Sequence, residues 1–235
     1  MFIGKWNKSV YLTYIGLAFA IFGIYLATAL GESHYALMCL MASGICDMFD
    51  GKIARACKRN KEEIAFGIEL DSLVDLICFA VLPITIFISL GFTKWYNVIS
   101  FIFLAVAGVA RLAYFNVVTA TKDGKAVKYY EGLPITMAAA VFPVFYLLSY
   151  VMSETAFFIF FTILVYVEAF FNMYKFKLKK PTSKWAYIAA CIIALSTIIM
   201  YVVLLWQKYI IEKLKTTLNK KKQVPWDLGF YTIQS

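Results

Sequence analysis

The chain has 235 residues, 62% of them hydrophobic and only 16% charged, yet it carries a formal net charge of +9. A soluble domain is nearer half apolar, so this composition argues against a soluble fold and for a membrane protein. The basic residues lie between apolar runs and form no long stripe, which argues against nucleic acid as a partner and suits cytoplasmic loops facing anionic headgroups.

A helix needs about 20 apolar residues to cross the hydrocarbon. Seven runs qualify or nearly so: residues 9–30, 35–56, 67–90, 95–120, 133–152, 155–173 and 185–207. No small-residue cleavage site follows the first, so it reads as a span and not as a cleaved leader. The joints at 31–34, 58–61, 91–94, 122–125, 153–154 and 179–181 carry turn residues and charges. His34, in the first joint, reads as simply solvated. Cys39, Cys46, Cys57, Cys78 and Cys191 show no CxxC spacing and mostly fall inside apolar runs, so they read as small buried hydrophobes.

Sidedness follows from the joints. Lys58, Arg59 and Lys61 occupy the second, Lys122, Lys125 and Lys128 the fourth, and Lys175, Lys177, Lys179, Lys180 and Lys184 the sixth. The odd joints hold only Lys94. The positive-inside rule puts the even joints and the N-terminus, with Lys5 and Lys8, in the cytoplasm. A simple seventh crossing would leave Lys213, Lys215, Lys220, Lys221 and Lys222 outside, against the same rule. Either that run does not cross simply or the tail violates the rule. The tail after Lys208 reads as a basic interfacial helix.

The second run ends Cys46-Asp47-Met48-Phe49-Asp50-Gly51-Lys52-Ile53-Ala54-Arg55, and the third begins Gly67-Ile68-Glu69-Leu70-Asp71-Ser72-Leu73-Val74-Asp75. Carboxylates at this depth cost at least a few kcal/mol each and need partners. Asp47, Asp50, Gly51, Ala54 and Arg55 share one helical face, as do Gly67, Asp71 and Asp75. A short cytoplasmic loop makes the two helices antiparallel, so four carboxylates converge roughly 6–15 Å below the surface. They must take up protons or bind hard cations such as Mg²⁺, Mn²⁺ or Ca²⁺. Two such ions can clamp a phosphate between nucleophile and leaving group. Arg55 adds a planar donor for a phosphate oxygen, and Gly51 and Gly67 clear room for a ligand. Gly67 is also expected to open its helix, aiming a positive dipole end at the site. One or two aspartates could instead be interhelical glue or a salt bridge to Arg55. Two facing helices with matched spacing are much harder to explain that way.

At these residues the chain resembles the CDP-alcohol phosphotransferase family, whose pattern is DxxDGxxAR followed by GxxxDxxxD. Every fixed position is present, while the gap at residues 56–66 is a few residues longer than usual, in a loop that can absorb it. The resemblance implies an all-α integral membrane fold with a six-helix core, here with at least one extra C-terminal hydrophobic helix. It implies two divalent cations, Mg²⁺ or Mn²⁺, held by Asp47, Asp50, Asp71 and Asp75. It implies Gly51, Ala54, Arg55 and Gly67 near the nucleotide and diphosphate, Asp75 as the base, and a homodimer. The division expected is a catalytic domain at 1–175 and a basic loop, hydrophobic helix and basic tail at 176–235.

Two further stretches look like the phosphatidylserine synthase branch: Arg111-Leu112-Ala113-Tyr114-Phe115-Asn116 and Tyr130-Glu131-Gly132-Leu133-Pro134. They place Arg111, Asn116, Tyr130 and Gly132 in an acceptor pocket level with the aspartates, unless Arg111 merely snorkels and Gly132-Leu133-Pro134 is only a helix-start turn. The substrates implied are CDP-diacylglycerol, drawn from the membrane lipids, and L-serine, with phosphatidylserine and CMP as products. A sibling enzyme using glycerol phosphate, inositol phosphate or another alcohol is the alternative. A cation or proton transporter is more distant, since it needs no Gly51, Ala54, Arg55 or Gly67 at fixed offsets and favours helices broken mid-span, which these runs do not suggest.

Overall fold

Each apolar run becomes a helical rod, and the irregularities fall where proline and glycine dictate. The computed structural model describes residues 4–121, 129–179 and 184–222, with side chains described at 4–118, 132–176, 195 and 198–217. Helix α1 is Tyr11–Ala29 and α2 is Ser33–Ala56. Helix α3, Lys61–Leu76, begins at a capping box: Glu63 N donates to Asn60 Oδ1 and Asn60 N donates to Glu63 Oε2, each at 2.8 Å. Gly67 therefore lies in the second turn and does not open the helix, contrary to the sequence expectation. The capping box of Asn60 and Glu63, whose N-cap lies seven residues upstream, satisfies first-turn amides instead.

The third rod continues through a π-helical turn, Ile77–Val81, into α4, Leu82–Ser89. Pro83 explains the turn, because its ring displaces the carbonyl four residues back and it has no N–H to return a bond. The helix widens by one residue immediately after Asp75. Helix α5 is Trp95–Thr121. The fifth run is not one α-helix: a 3₁₀ turn at Ile135–Met137, α6 at Ala138–Tyr146 with Pro143 inside, and a second 3₁₀ turn at Leu147–Tyr150. Helix α7 is Glu154–Met173, and α8, Lys184–Lys222, carries the tail helix well past Lys208. Strands β1, Tyr129–Glu131, and β2, Lys177–Lys179, pair antiparallel with Tyr130 opposite Leu178, tying the start of the fifth rod to the end of α7. The architecture is thus all-helical apart from this two-strand clip.

Among the described residues, four helices are long and apolar enough to cross a membrane: Tyr11–Ala29, Lys61–Ser89, Trp95–Val118 and Glu154–Met173, with a shorter apolar rod at Ile135–Tyr150. The chain divides into two compact units, Met1–Ala194 and Leu195–Ser235. The first unit holds all the helices from α1 to α7; the described part of the second is the remainder of α8.

Small residues set the spacing inside the first unit, as is usual where lipid supplies no hydrophobic drive between helices. Helix α1 lies along α2, and a methyl at Gly23 would sit 2.9 Å from Cys39 Cβ. Ser43 Oγ bridges the same pair by donating to Gly16 O at 2.9 Å. Cys39, Cys46 and Cys78 fill the seams as buried free thiols, as the sequence suggested. The opposite end from the aspartates is an aromatic core, in which Phe87 meets Phe142 at 4.9 Å and Phe161 at 5.1 Å. His34 is not merely solvated: it lies in the first turn of α2 with Nε2 2.9 Å from the Tyr150 hydroxyl and its ring edge-on to Tyr146. The tightest seam is α2 against α6, where a methyl at Gly44 would fall 2.5 Å from Ala139 Cβ. Gly44→Ala is expected to destabilise the protein by about 1–3 kcal/mol through overpacking. A lowered thermal midpoint in detergent checks this.

Candidate functional site

Helices α2 and α3 present their four aspartates to one another near the loop that joins them. Asp47, Asp71 and Asp75 offer carboxylate oxygens that all lie within 4.8 Å of one another. Asp47 faces Asp75, and Asp50 faces Asp71. Asp50 and Asp75 are only 6% and 8% exposed. Helix α1 supplies the third wall: Thr13 Oγ1 donates to Asp50 Oδ2 at 3.1 Å. A small pocket behind the carboxylates is lined by Thr13, Gly16, Ser43, Cys46, Asp47, Asp50, Asp75 and Cys78, among others.

On the loop side Asp50 and Asp71 border a cavity of about 160 Å³. Gly51, Ala54, Arg55 and Gly67 all line it, together with Asp50 and Asp71. The structure thus gathers the residues that the two sequence motifs share. The Arg55 guanidinium folds back over Gly51, where a methyl would come 3.3 Å from Nη1. Ser9, Val10, Thr13, Arg59 and Ile68 line the same cavity and were not anticipated. Arg59 is the chief omission, since a methyl at Gly67 would come 3.4 Å from its Nη1, so it matches Arg55 across the cavity. Its signal in the sequence was a basic residue in a short loop between two acidic helices, which reads equally well as topology. Thr13 was a lone hydroxyl in an apolar run. Outside the membrane part, Lys5 pairs with Glu62 at 2.7 Å, and that carboxylate holds the ammonium above its ordinary pKa. The pair is exposed and contributes little to stability.

Of the three acceptor residues whose side chains are described, Arg111 and Gly132 come together and Asn116 does not join them. Arg111 Nη1 lies 3.5 Å from Asn172 O, and a methyl on Gly132 would come 2.9 Å from the same nitrogen. Gly132 has φ +79°, which favours glycine, and its amide donates to Phe176 O at 2.7 Å. Arg111 also lines a cavity of about 210 Å³ with Ala110, Tyr114, Asn172, Met173, Tyr174 and Lys175. Asn116 points elsewhere, accepting from Ser72 Oγ at 3.0 Å beside Asp71. The backbone of Tyr130 sits in β1, and its side chain lies outside the described residues.

The family model described as CDP-alcohol phosphatidyltransferase matches residues 6–218. The chain belongs to that family. It is 38% identical over 122 residues to the CDP-diacylglycerol–serine O-phosphatidyltransferase of Saccharomyces cerevisiae, covering 48% of this chain and 43% of the yeast protein. It is 31% identical over 131 residues to the archaetidylserine synthase of Methanothermobacter thermautotrophicus, covering 55% and 53%. It is 36% identical over 105 residues to the CDP-diacylglycerol–serine O-phosphatidyltransferase of Helicobacter pylori, covering 43% and 41%. The chain spans about half the length of the curated relatives it matches.

The aspartate site has the donor chemistry a divalent cation needs. Its convergent ligands are carboxylate oxygens, the hard donors Mg²⁺ and Mn²⁺ prefer. Among the described residues none of the four aspartates is in direct ion-pair contact with lysine or arginine, and Arg55 acts on Asp50 only from longer range. This acidic group could therefore hold a metal ion.

Proposed function

We propose that the protein transfers the phosphatidyl group of CDP-diacylglycerol to the hydroxyl of L-serine, releasing CMP and forming phosphatidylserine. The observation that carries the reading is one junction: a trio of convergent carboxylates, Asp47, Asp71 and Asp75, of which Asp71 also lines, with Asp50, a cavity walled by both motif glycines, Arg55 and Arg59. The relatives' names support serine as the acceptor.

In this reading Asp47, Asp50, Asp71 and Asp75 hold two divalent cations, Mg²⁺ or Mn²⁺. Bound there, the cations supply charge neutralisation on the diphosphate. Arg55 and Arg59 donate to phosphate oxygens, and Gly51, Ala54 and Gly67 let the nucleotide lie close against the helices. Asp75 takes the proton from the serine hydroxyl. The serine oxygen forms a bond to the lipid-side phosphorus, the bond from that phosphorus to the bridging diphosphate oxygen breaks, and CMP departs with the electron pair. Positioning and fixed charge supply most of the rate enhancement. The catalytic part is residues 1–175, working as a homodimer in the cytoplasmic membrane with the site facing the cytoplasm, the side chosen by the positive joints.

The test is an acceptor panel. Purified protein with CDP-diacylglycerol and Mn²⁺ or Mg²⁺ is given serine, glycerol phosphate, inositol phosphate or no alcohol, and CMP is followed. Serine alone should drive release. Release driven better by a phosphorylated alcohol would assign the protein to a sibling activity. Thr13→Val supplies a second check: losing the hydroxyl that orients Asp50 should raise the Mn²⁺ concentration at half-maximal activity about 10- to 100-fold, as outer-shell substitutions at metal sites do.

A further inference from the structure

Helix α7 buries two polar side chains with atoms that no described residue answers. Glu168 is 3% exposed, and its Oε1 has no hydrogen-bond partner among the described residues. Asn172, one turn on and also 3% exposed, has neither Nδ2 nor Oδ1 engaged by any described residue. Both lie on the face of α7 that is turned inward, with Phe161, Val165 and Ala169. Leaving such atoms unpaired in a membrane interior costs free energy, and a site built to receive a ligand is one reason to retain them. Glu168 stands outside the acidic group of Asp47, Asp71 and Asp75, and one carboxylate beside one amide is too few ligands for a divalent cation. An ammonium asks for less: a carboxylate and one or two neutral acceptors.

The neighbourhood supplies the opposite charge. Asn172 lines the 210 Å³ cavity together with Arg111 and Lys175, and its own carbonyl is the atom the Arg111 guanidinium approaches. One turn before Arg111 on α5, Gly108 abuts Leu76, the residue after Asp75: a methyl there would lie 3.8 Å from Leu76 Cδ1. The cavity is therefore about one helical turn from the level of Asp75 along α5. A small ligand that satisfies both ends must be a zwitterion.

We infer that Glu168 and Asn172 form the ammonium end of an amino-acid seat whose carboxylate end is Arg111, and that Glu168 selects acceptors bearing an amino group. This rests on the serine reading above. It adds a specificity-determining residue that lies outside both sequence motifs.

The decisive experiment compares L-serine with glycerate, in which a hydroxyl replaces the amino group, as acceptors for wild-type and Glu168→Gln protein. In the variant, KM for serine should rise about 10- to 150-fold, the equivalent of one charge-assisted hydrogen bond. KM for CDP-diacylglycerol should be unchanged, and the preference for serine over glycerate should shrink by the same factor. An unchanged serine KM, or equal losses on serine and glycerate, would overturn the inference. A measurement on wild-type protein serves should the variant not fold. L-Alanine, which keeps both charges and lacks the hydroxyl, should compete with serine, and propionate should not. Equal inhibition by the two would also overturn it. Wild-type protein inert toward serine removes the serine reading itself, whereas serine-active wild type with an indifferent Glu168→Gln removes this inference alone.

Discussion

Asp75→Asn, with Mn²⁺ or Mg²⁺ supplied, should lose CMP release by about 10²- to 10⁴-fold, the range general-base catalysis contributes. The side chain keeps its size and one oxygen, so the packing around Thr13, Ser43 and Cys78 has no reason to change. What disappears is the group proposed to accept the serine proton and one negative charge of the carboxylate set proposed to hold the metal. Thermal stability should be equal or higher, since a buried carboxylate among others is replaced by a neutral amide. Loss of turnover with retained stability and CDP binding identifies a chemical role. Near-normal turnover would remove Asp75 as the base.

Arg111→Lys should lower catalytic efficiency about 30- to 150-fold, the cost of one charge-assisted contact to a buried partner, on the order of 2–3 kcal/mol. Lysine keeps the charge but not the planar fork. The packing is tight enough for the difference to register, because Gly132 leaves the guanidinium no room for an added methyl and the Asn172 carbonyl lies 3.5 Å from Nη1. If Arg111 meets the serine carboxylate, the loss appears in the serine dependence and CDP-lipid binding is little changed. If it meets the diphosphate, CDP-lipid binding weakens instead. A variant altered in neither would leave Arg111 a purely structural residue.

The residues that gather at the candidate site were legible because carboxylates are costly in apolar helices. Asp47, Asp50, Asp71 and Asp75 cannot sit in apolar helices without a function, and their spacing of three or four residues is enough to put each pair on a common helical face. Helix geometry likewise carried Gly51, Ala54, Arg55 and Gly67 into one cavity. Boundaries and irregularities were less legible. The capping box at Asn60 and Glu63 looked like loop because its residues are polar and the apolar run starts later. The π turn after Asp75 was encoded by Pro83, whose effect falls on the preceding turn. The acceptor residues were read as one group because both of their stretches look like the phosphatidylserine synthase branch and lie at the depth of the aspartates, which does not fix the face each residue takes. Five residues along a helix put Arg111 and Asn116 about 140° apart, so one faces α7 and the other Ser72 of α3. Glu168 escaped notice for the opposite reason: a single carboxylate in a run of phenylalanines has no spacing to give it away.

The transfer itself is tested most directly with serine carrying ¹⁸O in its hydroxyl. Purified protein, CDP-diacylglycerol and Mn²⁺ are allowed to react, and both products are weighed by mass spectrometry. The account predicts CMP and phosphatidylserine in equal amounts, with the label wholly in the phosphatidylserine and none in the CMP, because the serine oxygen attacks the lipid-side phosphorus and stays there. Release of phosphatidic acid with the label on a CMP ester would mean attack at the other phosphorus. No nucleotide release under these conditions would contradict the proposed transfer to serine.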